Sequence, residues 1–168
     1  MVLGGLTIRV DGRLVTGFKS RKAEAMLVYL ACQPRPQTRD HLANLLWEGS
    51  DPNQAGANLR KTLSDLRQNL GDFLLINRDE ISLNPECDWW LDAAAFQHLL
   101  KNAHHNNWRD LEQALTFYQG DFLAGFFLRE NLAFDEWASL ARERWRLLAL
   151  SALSQLVTHC LHSRRYDL

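Results

Sequence analysis

Four leucines, Leu59, Leu63, Leu66 and Leu70, recur at intervals of four, three and four residues, a spacing that no strand accommodates. At ~100° per residue they fall within a sector of roughly 60° of a helix. The pattern predicts an amphipathic helix over residues 53–69 with one buried face. The opposite face carries Gln54, Ala57, Lys61, Ser64 and Gln68, with Arg60 and Arg67 on one flank and Asn58 and Asp65 on the other. Such a helix needs apolar neighbours for its leucines and a polar environment for everything else.

The neighbours are found upstream. Ser20 is placed to cap a helix whose apolar residues Ala23, Met26, Leu27, Leu30 and Ala31 form one stripe, and Gln33-Pro34-Arg35-Pro36 stops it. Thr38 caps a second, short helix with Leu42, Leu45 and Leu46 on one face, broken by Gly49-Ser50-Asp51-Pro52. On the N-terminal side, Leu6, Ile8 and Val10 alternate with polar residues before Asp11-Gly12 and Leu14-Val15-Thr16, which predicts a hairpin. On the far side, Leu74-Leu75-Ile76, a turn at 77–80 and Ile81-Ser82-Leu83 predict another. Two helices joined by a turn, then a helix with a polar, basic outer face, then a hairpin, make the winged helix-turn-helix arrangement. Its outer face is built to meet base edges and phosphates. The residues so placed are Gln54, Ala57, Asn58, Arg60, Lys61, Ser64, Arg67 and Gln68, with Arg78 at the hairpin tip to reach the adjacent backbone or minor groove. The plainer alternative is an ordinary amphipathic surface helix.

After Asn84-Pro85-Glu86 no strand pattern returns. This composition shift divides the chain into an α+β winged helix-turn-helix at residues 1–86 and an all-α part at 87–168. Asp92 is expected to cap a helix to about Ala103 with Ala95, Phe96, Leu99 and Leu100 as its core face. The loop of His104, His105, Asn106 and Asn107 follows. Trp108, Leu111, Ala114, Leu115 and Tyr118 mark a second helix closed by Gly120, and Trp137, Leu140, Ala141, Trp145, Leu148, Ala152, Leu156 and Cys160 a long third one. Helices paired this way resemble an α-solenoid of tetratricopeptide type. Residues 163–168 read as the turn of a further repeat whose second helix is absent. The all-α part is thus expected to be incomplete, with Leu156 and Cys160 uncovered and the last helix either self-associating as a homo-oligomer or frayed.

Other function classes are excluded or left without support. The 168 residues are 46% hydrophobic and 10% aromatic, too rich for a disordered chain. No stretch reaches the ~20 apolar residues of a membrane span, and no secretory signal is visible. Three widely spaced cysteines, Cys32, Cys87 and Cys160, suit a reducing cytoplasm. Net charge is −1, so no global basic excess advertises a polyanion. Between Lys19 and Arg67, however, eight bases face five acids, which confines any nucleic-acid surface to that segment. There is no phosphate-binding glycine loop, nucleophile elbow or His-Glu-x-x-His, so no catalytic residue and no cofactor is expected. His159 and His162 have a spacing a metal can use, but Cys160 continues an apolar stripe and no second ligand pair exists. The structural reading is preferred there.

Several motifs then carry a resemblance in the right order: Leu3-Gly4-Gly5-Leu6 with Asp11-Gly12-Arg13, Ser20-Arg21-Lys22-Ala23, Arg39-Asp40-His41-Leu42-Ala43-Asn44-Leu45-Leu46-Trp47, Ala57-Asn58-Leu59-Arg60-Lys61-Thr62-Leu63-Ser64-Asp65-Leu66-Arg67, and Phe117-Tyr118-Gln119-Gly120-Asp121-Phe122-Leu123. The chain resembles bacterial transcriptional activators of the SARP type, which join an OmpR-type winged helix to a bacterial transcriptional activation domain of tetratricopeptide-like helices. The resemblance implies that the 54–70 helix is the recognition helix for double-stranded DNA. It further implies that residues 47–53 form the loop near RNA polymerase, and that the chain is an N-terminal piece of a longer protein. Asp65 and Gln68 depart from it, standing where such helices often carry arginine. The competing function is a protein-interaction module whose winged helix no longer binds DNA.

Overall fold

A computed structural model of the chain describes residues 1–103 and 108–163. The loop expected at 104–107 and all but the first residue of the turn expected at 163–168 lie outside these. By contacts the chain falls into two units. One comprises Thr7–Trp89 with Phe127–Trp137; the other comprises Met1–Leu6, Trp90–Phe126 and the chain from Ala138 onward. The architecture is a winged helix-turn-helix followed in sequence by helices.

In the first unit, strands β1 (Arg9–Val10) and β2 (Arg13–Leu14) pair antiparallel with Val10 opposite Arg13. Asp11 and Gly12 both take positive φ, 50° and 76°, the combination that a two-residue hairpin turn of matching twist requires. Helix α1 (Arg21–Cys32) starts at Ser20, whose hydroxyl accepts the Ala23 N–H. It is buried more widely than its single stripe implied, because Ala25, Val28 and Tyr29 join the core as well. Strand β3 (Gln37–Thr38) leads into α2 (Arg39–Leu46), where Thr38 caps as expected by accepting the His41 N–H. Helix α3 (Pro52–Leu70) begins at Asp51, whose carboxylate accepts the N–H groups of Asn53 and Gln54, and proline stands at the one helical position where its missing N–H is harmless.

Strands β4 (Leu74–Ile76) and β5 (Glu80–Leu83) form the expected second hairpin. Strand β3 adds to it in the order β3-β5-β4, a third strand that two residues could not announce in sequence. The three helices pack on one another, α1 also on β5 and α3 on β4. Leu59, Leu63, Leu66 and Leu70 are all buried, so the phase drawn from their spacing is correct. In the same unit Phe134 is fully buried, and the Trp137 ring stands edge-on to Tyr29 with centroids 4.9 Å apart.

In the second unit, α4 (Asp92–Asn102) and α5 (Trp108–Phe117) pack on each other. The expectation that Asp92 caps α4 needs correcting. Its side chain is fully buried and accepts N–H groups from Val2 (2.8 Å to each oxygen), Leu3 (2.8 Å) and Ala93 (3.0 Å). It fastens the N-terminal residues, and the α4 N-cap position is Leu91, without a side-chain cap. Leu3 also bridges Phe122, and the Leu123 N–H donates to the Val2 carbonyl. Gly4 and Gly120 approach so closely that a Cβ on Gly4 would lie 3.0 Å from Gln119 Cβ.

Helix α6 (Leu132–Ser163) departs from its expected stripe. Trp145, Ala152, Leu156 and Cys160 are buried as expected, together with Ala138 and Ala149, but Leu140 is 75% exposed. Leu156 and Cys160 are therefore covered, contrary to the expectation of a bare seam. The uncovered residues stand on the other face, at Leu140, Leu147, Leu150, Leu153, Val157 and Leu161. The reason is that this helix is apolar on two sides, so a single-stripe reading had two phases to choose from. His159 stacks on Trp108 with ring centroids 5.7 Å apart, and His162 lies 2.7 Å from the Thr158 carbonyl through Nδ1.

Candidate nucleic-acid interface

The outer face of α3 is assembled by its leucine seam: burying that seam obliges the residues opposite to face solvent. Gln54, Arg60, Lys61, Ser64, Arg67 and Gln68 are exposed, and Ala57 and Asn58 are half-buried. Gln54 Nε2 donates to Asn58 Oδ1 at 3.0 Å, one turn along the helix, which orders the N-terminal end of the face. Arg78 is exposed in the turn between β4 and β5. Among the described residues, none of Arg60, Lys61, Arg67 and Arg78 is held in a salt bridge, so their charge is uncommitted. All nine residues singled out in sequence are thus present on the surface of this unit, eight on one helix and the ninth in the hairpin turn.

Asp65 behaves differently from its sequence reading. It is 3% exposed, and its carboxylate accepts the Lys19 N–H at 2.9 Å and the Asn69 side-chain amide at 3.2 Å. Its departure from arginine therefore takes no charge off the outer face; it pins the segment before α1 across the C-terminal half of α3. That crossing brings in Lys19, whose Nζ donates to Gln68 Oε1 at 3.3 Å. Lys19 is exposed and sits beside the outer face of α3, a position no helical spacing could reveal because it depends on a contact across 46 residues.

The hairpin turn is fastened too. Arg39, at the start of α2, donates its backbone N–H to the Asp79 carbonyl at 3.0 Å, and its guanidinium donates through Nε and Nη2 to the Asn77 carbonyl at 3.3 and 3.2 Å. Asn77 N–H closes the turn on the Glu80 carbonyl. The loop between α2 and α3 is tied in a similar way: Glu48 accepts the Ala133 N–H at 3.0 Å, and Lys22 Nζ lies 5.3 Å from the centroid of the Trp47 ring. Partial burial pushes the Lys22 ammonium below its ordinary pKa. Tyr29, 2.7 Å from His41 through its hydroxyl, has its phenol pushed up by burial.

Comparison with solved structures finds a similar fold in Mycobacterium tuberculosis EmbR, solved in complex with a low-affinity phosphopeptide. The TM-score is 0.69 at 22% identity, with 98% of this chain and 45% of that chain covered. The chain thus spans less than half the length of that protein. No family model and no curated protein matches the sequence. At this identity the likeness is one of fold, and it extends over both units. Among the described residues, no group of three or more His, Cys, Asp or Glu side chains is placed to hold a metal ion, and no helix is long and apolar enough to cross a membrane.

Proposed function

We propose that the protein is a sequence-specific double-stranded DNA-binding transcriptional regulator of the SARP type. The observation that carries this reading is the unpaired cationic face of α3 beside the β4–β5 turn, which supplies both groove-reading and phosphate-neutralising groups. The motif resemblance and the likeness of fold to EmbR support it. In this reading residues 1–86 bind DNA through Gln54, Ala57, Asn58, Arg60, Lys61, Ser64, Arg67, Gln68 and Arg78. Residues 87–168 form a tetratricopeptide-like partner-binding part, and the α2–α3 loop contacts RNA polymerase to activate transcription in the cytoplasm.

Lys61→Ala is expected to weaken binding to a DNA duplex selected from a randomised pool by the unaltered chain. The loss should be about 1 to 3 kcal/mol if the ammonium reads a base, and less if it meets phosphate alone. Melting temperature should hardly change, because the side chain is exposed. Binding equal to that of the parent across a salt series would show this face to be misassigned. If the parent selects no duplex, the interaction-module alternative is favoured.

The reading includes self-association through α6. Leu147, Leu150, Leu153, Val157 and Leu161 are each 45 to 60% exposed, and no Asp, Glu, Lys or Arg interrupts them. Few monomers leave so continuous an apolar row in water. Sedimentation across a concentration series is expected to show a concentration-dependent dimer that Leu150→Glu abolishes. A parent that stays monomeric at every concentration would remove this part of the proposal.

A further inference from the structure

Arg78 stands in a four-residue turn, and a cation on a mobile turn loses much of its binding free energy to the entropy of being ordered. Arg39 addresses that cost directly. Three donors of one residue converge on the turn's backbone, two from the guanidinium to the Asn77 carbonyl and one from the peptide N–H to the Asp79 carbonyl. These carbonyls flank Arg78 on both sides. Beneath them, Thr38 pairs with Glu80 in the sheet, so the residue preceding Arg39 is itself registered against the strand that leaves the turn. A guanidinium that gives two hydrogens to one carbonyl is geometrically fixed in a way an ammonium is not.

We infer that Arg39 is a positioning residue for DNA binding: it locks the β4–β5 turn and thereby presents Arg78 to the duplex, rather than acting as a phosphate contact in its own right. The inference rests on the DNA-binding reading above. It also accounts for a basic residue that is half-buried at the edge of the interface and that has no place on the recognition helix.

The test uses the whole chain and the same selected duplex. Arg78→Ala should weaken binding by about tenfold at low salt and reduce the salt slope by about one. Arg39→Ala should give part of that loss alone and no further loss in the Arg78→Ala background. Arg39→Lys should behave like Arg39→Ala, since it keeps the charge but not the fork. In the free protein, Arg39→Ala should speed amide exchange at Asn77, with exchange in α1 unchanged. Additive losses with affinity retained in Arg39→Lys would overturn the inference in favour of direct phosphate contact, and unchanged exchange at Asn77 would overturn it outright. If Arg78→Ala binds like the parent while Lys61→Ala does not, the inference falls and the recognition helix stands. If both bind like the parent, the DNA-binding reading has failed first.

Discussion

Leu63→Ala is expected to destabilise the protein by about 2 to 5 kcal/mol, the range for emptying a fully packed leucine site. Leu63 is 4% exposed, and its seam neighbours Leu59 and Leu66 are 2% and 0%, so the cavity has buried walls and little freedom to collapse. In the proposed DNA-binding reading, binding to the selected duplex should be lost only as far as the folded fraction is lost, with affinity at low temperature close to that of the parent. Urea titration with a parallel binding series checks both halves of this expectation. An unchanged urea midpoint would contradict the packing of α3 on α1 and α2.

The second large effect concerns Asp92. Every partner of its buried carboxylate is a donor: the N–H groups of Val2, Leu3 and Ala93. Asp92→Ala would leave these groups without an acceptor, at about 1 to 3 kcal/mol for each one left unsatisfied. Relief of the carboxylate's own desolvation offsets part of this cost, so a net loss of about 2 to 4 kcal/mol is expected. Asp92→Asn should rescue only part of the loss despite its equal size, because one oxygen still accepts while the NH2 that replaces the other meets an N–H donor. Chemical denaturation of the three proteins decides the matter. Stability in Asp92→Ala equal to that of the parent would mean that the N-terminal strap contributes nothing.

What was legible in the sequence was whatever the physics keeps local. Ser20 and Thr38 cap the helices they precede, Asp11-Gly12 turns the first hairpin, and the leucine seam fixed which side of α3 faces out. Asp65 and Asp92 were misread for the opposite reason. Their roles are set by partners 46 and about 90 residues away, and a local reading assigns an aspartate to a cap or to solvent. Arg39 and Lys19 escaped the candidate site for the same cause, since their place beside the α3 face and the hairpin turn comes from tertiary contacts. In α6 the pattern itself was ambiguous, with Leu140 on an exposed row and Ala138 and Ala149 on the buried one. Small residues that let helices approach closely leave a weaker trace than leucines that do not.

The interleaving of the two units governs the order in which a ribosome can finish them. Val2 and Leu3 emerge long before Asp92 and Leu123, which hold them by hydrogen bonds, and at ~5–20 residues per second they wait many seconds with apolar side chains unburied. Tyr29 likewise waits for Trp137. A chain severed at residue 86 therefore yields neither unit whole: it carries an N-terminal strap with nothing to grip and a winged helix without the Phe127–Trp137 segment. Dissection of this protein has to take two stretches of sequence for the first unit and three for the second, and a nascent chain halted before about residue 137 lacks the segment that completes the first.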